Sequence, residues 1–435
     1  MEPGAVKEEG SAVDGPGPAD PQPDPSCDFD PASISAGEAM ERVLASIRPI
    51  TQVERVNLRA ALGRVIAQDV LSRVQVPNHT NSAMDGFALR GGDLPCEGER
   101  TFDMLGVAFA GKPFSGPVGE GQCVRIMTGA VMPGGTDTVV MQERVTIQGD
   151  TVTVGHREKA GANVRMAGED LEAGDLAISA GTRVGPSHLG LAASLGFSEL
   201  PVYRRPRVAF FSNGDELRSV GEAIGIGELY DSNRYTLYGM LTEACAEMVD
   251  LGIVRDDPGD IRRAFEDAAG CADMVVTSAG ASVGEADYVK DTLKQLGAVT
   301  FWKVAIKPGR PLSFGTVGGA YFFGLPGNPV SVMVTFEVFV RAALRKLSGE
   351  HAPGHLRMRV PTGSKLRKRS GRMEYQRGIL GQDGEGRTVV HSTGDQGSGI
   401  LHSMSVANCY IILPDESEGA DPGDLVEVQP FASAI

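Results

Sequence analysis

Between residues 206 and 350 three short apolar runs, at 207–211, 274–277 and 320–324, are each followed by a polar or glycine-rich turn and then by a helical pattern. Apolar runs of strand length alternating with helical stretches predict a parallel sheet with crossover helices. Asp231-Ser232-Asn233 precedes the stripe Leu237, Met240, Leu241 and Ala244, a capping group ahead of a 3.6-residue period. Asn328-Pro329 stands in the same manner before a long helix through Val332, Phe336, Phe339, Val340 and Leu344.

The rest of the 435 residues divides around that α/β unit, set at 206–350. Residues 1–31 hold eight acids, one lysine, seven prolines and four glycines with almost nothing to bury, which predicts a disordered acidic tail. Ala39, Val43, Leu44, Ile47 and then Leu58 and Leu62 predict two helical stretches joined through Pro49. From 77 to 156 short β-like runs (101–110, 123–127, 137–145) alternate with glycine turns, as expected of a small inserted β domain. The segments on either side of it, 32–76 and 157–205, then form one discontinuous, elongated N-terminal domain of helical and extended character, with a strand near 175–179 and a helix opening at Gly185-Pro186. Beyond Pro353, runs at 357–360, 409–413 and 425–428 and a hairpin across Asp383-Gly384 predict a C-terminal β-barrel-like domain over 355–435. The fold class expected is therefore multidomain α/β plus β.

A net charge of −15 disfavours broad electrostatic attraction to nucleic acid or anionic lipid, although about half of it lies in the tail, a net of −7, which leaves the rest only mildly acidic. No apolar run is long enough to span a membrane, and the N-terminus does not read as a secretory signal, so the expected location is cytoplasmic. The six cysteines are scattered with no CxxC pair, which predicts reduced, mostly buried thiols.

In an open parallel sheet, ligands bind beyond the carboxyl ends of the strands. Three such ends are polar here: 212–216, the glycine-rich 278–284, and 325–329. The second could present backbone N–H groups and hydroxyls to a phosphate, or could be an ordinary glycine turn. Glu216, Asp231, Asp256, Asp257 and Asp287 lie near these ends, where an acid beside a phosphate loop can ligate magnesium or serve only as turn and cap. Lys303, Lys307 and Arg310 around Pro308-Gly309 could grip an oxyanion, or form a solvated basic loop; the run 299–306 before them reads as one strand. A second basic stretch, Lys365 to Arg377, lacks the interleaved aromatics of an RNA surface. No nucleophile-base pair is evident.

Taken together, NSAMDGFAL (81–89), VRIMTGAVMPGGTDTVV (124–140), GANVRMAGED (161–170), SNGDEL (212–217), LYDSNRYTL (229–237), TSAGASVGEADYVK (277–290), WKVAIKPGRPLSFG (302–315), LPGNPVS (325–331) and the later YQRG and GDQGSG give the chain a resemblance, from about 35 to 432, to the MoeA family of molybdopterin molybdenumtransferases, which includes the gephyrin E domain. The resemblance implies insertion of molybdate into adenylylated molybdopterin with release of AMP. It implies catalytic roles for Asp85, Thr128, Glu216, Asp256, Asp287, Lys303 and Lys307, and substrate contacts from Gly280, Ser282, Gly284, Arg310, Asn328, Arg377 and Ser398. A magnesium site at Asp256 and Asp287 is implied as well. So is a homodimer whose cleft lies between the α/β domain of one subunit and the C-terminal β domain of the other. A separate molybdopterin adenylyltransferase would supply substrate, since only one such glycine loop is present, and molybdoenzyme chaperones would be further partners.

The chain departs from the family pattern where two adjacent glycines usually stand and it has Ala279-Gly280, and where a valine usually stands and it has Ala281. A positive φ at Ala279 would strain that loop by about 1 kcal/mol or more. Two other readings compete. One is a gephyrin-like scaffold without turnover, against which the intact acids and cations argue. The other is a hydrolase on the same α/β domain, such as a nicotinamide-nucleotide deamidase, against which the motifs outside that domain argue.

Overall fold

The computed structural model describes residues 33–279, 288–301, 303–351 and 354–431. The central sheet has six strands in the order Glu247–Val254, Arg207–Asn213, Met274–Ser278, Ala320–Leu325, Ser313–Val317 and Gly297–Phe301. The first four are parallel and the last two pairings are antiparallel, with Ser313–Val317 the reversed strand, so the sheet is mixed, not purely parallel. The antiparallel edge arises because Gly318-Gly319, both at positive φ, turn the chain straight back between Val317 and Ala320.

Successive side chains of a strand point to opposite faces, and here both faces are covered. Val208, Phe210, Met274, Val276, Phe323 and Leu325 face one core with the helix Ser232–Glu243 and the long helical run from Pro329. Ala209, Phe211, Val275 and Phe322 face the other, with the helices Pro258–Cys271 and Tyr288–Leu296. Phe265 centres that second core, edge-on to Phe211 at 5.3 Å and to Phe322 at 5.4 Å. The long run is helical to Leu347 but passes through a π-helical turn at Phe336–Val340.

The helix Ala36–Ser46 packs on the first of these cores through Ala36, Ala39 and Val43. The second helical stretch expected after Pro49 is mostly extended: the strand Val53–Asn57 pairs with Glu199–Tyr203, and only Leu58–Ala61 makes a helical turn. Long-range pairing keeps 53–57 extended, and the apolar spacing of Leu58 and Leu62 accompanies only the short helical turn. Ala61, Ile66 and Val70 from before the β insertion share a core with Ile178, Val184, Leu200 and Val202 from after it. The helix Pro186–Ser194 opens with proline at its first turn.

Within the insertion a six-stranded sheet runs Thr138–Met141, Gly86–Leu89, Gln122–Ile126, Glu99–Ala108, Thr151–Gly155 and Val145–Gln148. Alternation again fills both sides, Phe87 and Leu89 on one and Ala88 on the other. The run expected as one strand over 137–145 is broken after Met141 by a 3₁₀ turn, Gln142–Arg144. In the C-terminal unit Met373–Gln382 pairs with Thr388–Ser392 across the expected hairpin and with Cys409–Leu413 on its other side. Leu425–Pro430 and Met358–Pro361 continue the sheet, and a bridge from Thr362 to Val390 brings its ends together in a barrel-like curl. The run 299–306 is two elements: the α/β strand ends at Phe301, and Ile306–Lys307 pairs with Met373 and Glu374 of the C-terminal sheet.

Of the five cysteines among the described residues, Cys123 and Cys409 are buried, Cys245 is intermediate, and Cys96 and Cys271 are exposed, so the thiols are less buried than expected. Among the described residues no helix is long and apolar enough to cross a membrane.

Candidate active site

The ends of Arg207–Asn213, Met274–Ser278 and Ala320–Leu325 open onto one cavity of about 890 Å³. It lies beside Arg207–Asn213, where the strand order reverses because the next two long strands of the chain, Glu247–Val254 and Met274–Ser278, flank it on opposite sides, the position at which open α/β sheets bind ligands. Glu216, Asp256 and Asn328 line it.

Asn213, at the end of the first strand, holds two strand ends together. Its Nδ2 donates to Val254 O at 3.3 Å and to Asp256 Oδ1 at 2.6 Å, while Asp256 N donates to Asp215 Oδ1 at 3.2 Å. Asp256 is thereby fixed in direction while staying exposed. Gly214, with φ +151°, lets the Glu216 carboxylate fold back over the turn, since a Cβ there would lie 2.6 Å from Glu216 Oε2. The wall offers hard oxygen donors, carboxylates of the kind magnesium shares with phosphate. Among the described residues no three carboxylate, histidine or cysteine side chains converge as a chelate.

Ala279 has φ +69°, the left-handed backbone that the sequence placed in question, and it lines the cavity. Of the sequence-predicted residues Gly280, Ser282, Gly284 and Asp287 lie outside the described residues.

Asn328 stands at the start of the helix Pro329–Thr335, but its side chain does not cap it. Its Nδ2 instead donates to Ser398 Oγ at 2.9 Å, and Val330 N donates to Ser398 O at 3.1 Å. The loop that carries Ser398 is braced by Arg377, whose Nη2 donates to the carbonyls of Asp395 at 3.3 Å and Gly397 at 3.0 Å and whose Nε donates to Ser403 Oγ at 3.0 Å. Arg377 is 1% exposed, so it reaches the cavity through this loop, not as an open cation. The C-terminal unit of the same chain is thereby hydrogen-bonded to Asn328 on the cavity wall. Lys307 Nζ lies 3.4 Å from Glu374 Oε1, an acid buried in the C-terminal sheet. Lys303 and Arg310 are half-buried on the same segment, and Pro311 beside them lines the cavity.

Asp85 and Thr128 are brought together with each other. Thr128 N and Oγ1 each donate to Asp85 Oδ1 at 2.7 Å, and these two bonds hold the Asp85 carboxyl below the usual carboxylate range. Neither residue lines the cavity. Asn213, which aims Asp256, was missed by sequence reasoning; its place at the last residue of a buried strand, just before Gly214, was the available signal.

Three family models match in order: the MoeA N-terminal region (domain I and II) over 34–196, a probable molybdopterin binding domain over 209–346, and the MoeA C-terminal region (domain IV) over 359–431. A molybdopterin molybdenumtransferase of Haemophilus influenzae is 40% identical over 402 residues, covering 92% of this chain and 98% of that protein. One from a Nostoc species is 36% identical, covering 83% and 85%. Among solved structures, the molybdopterin biosynthesis moeA protein of Pyrococcus horikoshii OT3 superposes with a TM-score of 0.79 at 28% identity, over 92% of this chain and 100% of that one.

Proposed function

The chain belongs to the MoeA family, and we propose that it inserts molybdate into adenylylated molybdopterin, yielding molybdenum cofactor and AMP. The observation that carries this reading is the match along 98% of a relative named for molybdenum transfer. The meeting of Glu216, Asp256 and Asn328 at one cavity, with Ser398 bonded to Asn328, supports it. The scaffold reading is not favoured, because the relatives are named as transferases.

In this reading Gly280, Ser282 and Gly284 receive the pyrophosphate with backbone N–H groups and a hydroxyl. Asp256 and Asp287 would hold Mg²⁺, which supplies countercharge to the leaving phosphate. Asn213 keeps Asp256 turned for that task, and Glu216 closes the same wall. Lys303, Lys307 and Arg310 bind oxyanions as charged donors. Ser398 offers its hydroxyl, and Arg377 keeps the Ser398 loop in register.

Asp85 and Thr128 lie away from the cavity in one chain, so a catalytic role for them requires a second copy. That need favours a homodimer in which the β insertion of one subunit completes the site of the other. A separate adenylyltransferase supplies the substrate, molybdoenzyme chaperones are further partners, and the setting is the cytoplasm.

Asp256→Ala and Asp287→Ala should each abolish AMP release from adenylylated molybdopterin while leaving the dimer intact by light scattering. Turnover at the unaltered rate would remove that acid from the site.

A further inference from the structure

The N-cap and first turn of the helix Ser232–Glu243 carry, on two residues that line the cavity, two buried acceptor oxygens without a donor among the described residues. Asp231, its N-cap, is 1% exposed and lines the cavity. Oδ1 is fully employed, accepting from Ser212 Oγ at 2.9 Å and Arg234 N at 3.1 Å. Oδ2 is buried and has no donor among the described residues. Asn233, also on the cavity wall, donates its Nδ2 to Ser278 Oγ at 2.7 Å and to Gly327 O at 2.6 Å. A carbonyl can only accept, so this pairing fixes the amide orientation and leaves Asn233 Oδ1 as the second buried acceptor without a donor. Ser278, on the same wall, accepts from Asn233 and keeps a hydroxyl proton to give.

Capping accounts for one oxygen of Asp231 and leaves the other unexplained. A buried carboxylate oxygen without a partner is costly, and such groups in native proteins have a role in ligand binding or an unseen partner. Two acceptors and one donor on one wall match a flat heterocycle edge carrying two N–H donors beside an acceptor. Resting on the function proposed above, the substrate carries two amino-heterocycles. The pterin, a 2-amino-4-oxopyrimidine, has a ring N–H and an exocyclic NH₂ side by side with a carbonyl next to them. Adenine offers one amino donor beside a ring-nitrogen acceptor, which would face an acceptor here.

We propose that Asp231 Oδ2 and Asn233 Oδ1 recognise the donor edge of the pterin, with Ser278 donating to its carbonyl, making Asp231 and Asn233 specificity-determining residues of this cavity. The discriminating ligand is lumazine, in which oxygen replaces the 2-amino group, so that an acceptor would be turned against an acceptor. A hydrogen bond to a charged group is strong enough that losing it should cost at least about tenfold in affinity.

Binding of pterin, lumazine and AMP to the full-length protein would be followed by ligand fluorescence for the first two and by calorimetry for AMP. The wild type should bind pterin at least about tenfold more tightly than lumazine. Asp231→Asn, which can retain Oδ1 for Ser212 and the cap, should reduce that preference to within about threefold and leave AMP affinity unaltered. Ser212→Ala, which removes only a partner of Oδ1, should keep the preference. If Asp231→Asn does not fold, Asn233→Ala provides the same comparison. Failure of the wild type to prefer pterin, or an undiminished preference in a folded Asp231→Asn or Asn233→Ala protein, would overturn the assignment. A loss confined to AMP binding would transfer these acceptors to adenine and overturn it as well. The function proposed above is tested separately, since molybdate-dependent AMP release by the wild type can fail while pterin discrimination stands, and the reverse.

Discussion

Gly214 and Ala279 stand at two of the strand ends around the cavity, and both have backbone angles that an L side chain resists. At Gly214 the conformation and the nearby Glu216 carboxylate both exclude a Cβ, so Gly214→Ala should cost about 1–3 kcal/mol of local strain and displace Glu216. AMP release should then fall by about tenfold or more, a larger effect than the loss of stability measured by denaturant titration. Ala279 already carries such strain, and Ala279→Gly should stabilise the protein by about 1 kcal/mol in the same titration. An unaltered midpoint would mean that the loop has another source of support. Burial pushes the Cys123 and Cys409 thiols up to about 12, so at pH 8 iodoacetamide should label Cys96 and Cys271 first and reach Cys123 and Cys409 only after unfolding. Asp85 titrates below its ordinary 3.8 because Thr128 donates to it twice. Its contribution to stability is therefore complete above the unfolded carboxylate pKa and is lost only as the pH falls through the lower folded value. The stability difference between wild type and Asp85→Asn should accordingly be flat from pH 5 to 8 and shrink below about pH 4; a difference that fades near neutrality would contradict the Thr128 pairing.

Strand ends and helix starts carry the site, and they are also where sequence reasoning was strongest and weakest. The three apolar runs and the polar residues after them were legible because burial on both faces demands short uninterrupted apolar strands, and a ligand crevice at their carboxyl ends follows from that topology. Asp231 was equally legible as a cap. Asn328 was not legible in its actual role: the pattern before Pro329 reads as a cap, but the amide turns to Ser398, seventy positions further on, and such a partner leaves no local trace. The break in the run 299–306 was hidden for the same reason, since Ile306 is apolar whichever sheet it joins. Arg377 shows how a residue type can suggest one role and burial another. Its guanidinium is committed to the carbonyls that shape the Ser398 loop. Arg377→Ala should therefore loosen that loop and raise the molybdate concentration needed for half-maximal AMP release several-fold. An unaltered molybdate dependence would separate the loop from oxyanion binding.

One chain brings Glu216, Asp256 and Asn328 to a single cavity and bonds Asn328 to Ser398 of its C-terminal unit, yet leaves Asp85 and Thr128 on the β insertion. If a second copy supplies them, inactive Asp85→Ala and Asp256→Ala homodimers should regain activity when mixed and allowed to exchange, because each mixed dimer would contain one intact site. Mixed dimers that form but remain inactive would argue that both residues serve the same subunit's site. The central claim concerns the coupling of molybdate to the leaving AMP, and it is tested most directly by incubating purified protein with adenylylated molybdopterin and magnesium and measuring AMP with and without molybdate. Molybdate-stimulated release of AMP is the predicted result; no release, or release indifferent to molybdate, from a folded protein that still binds the pterin would contradict it.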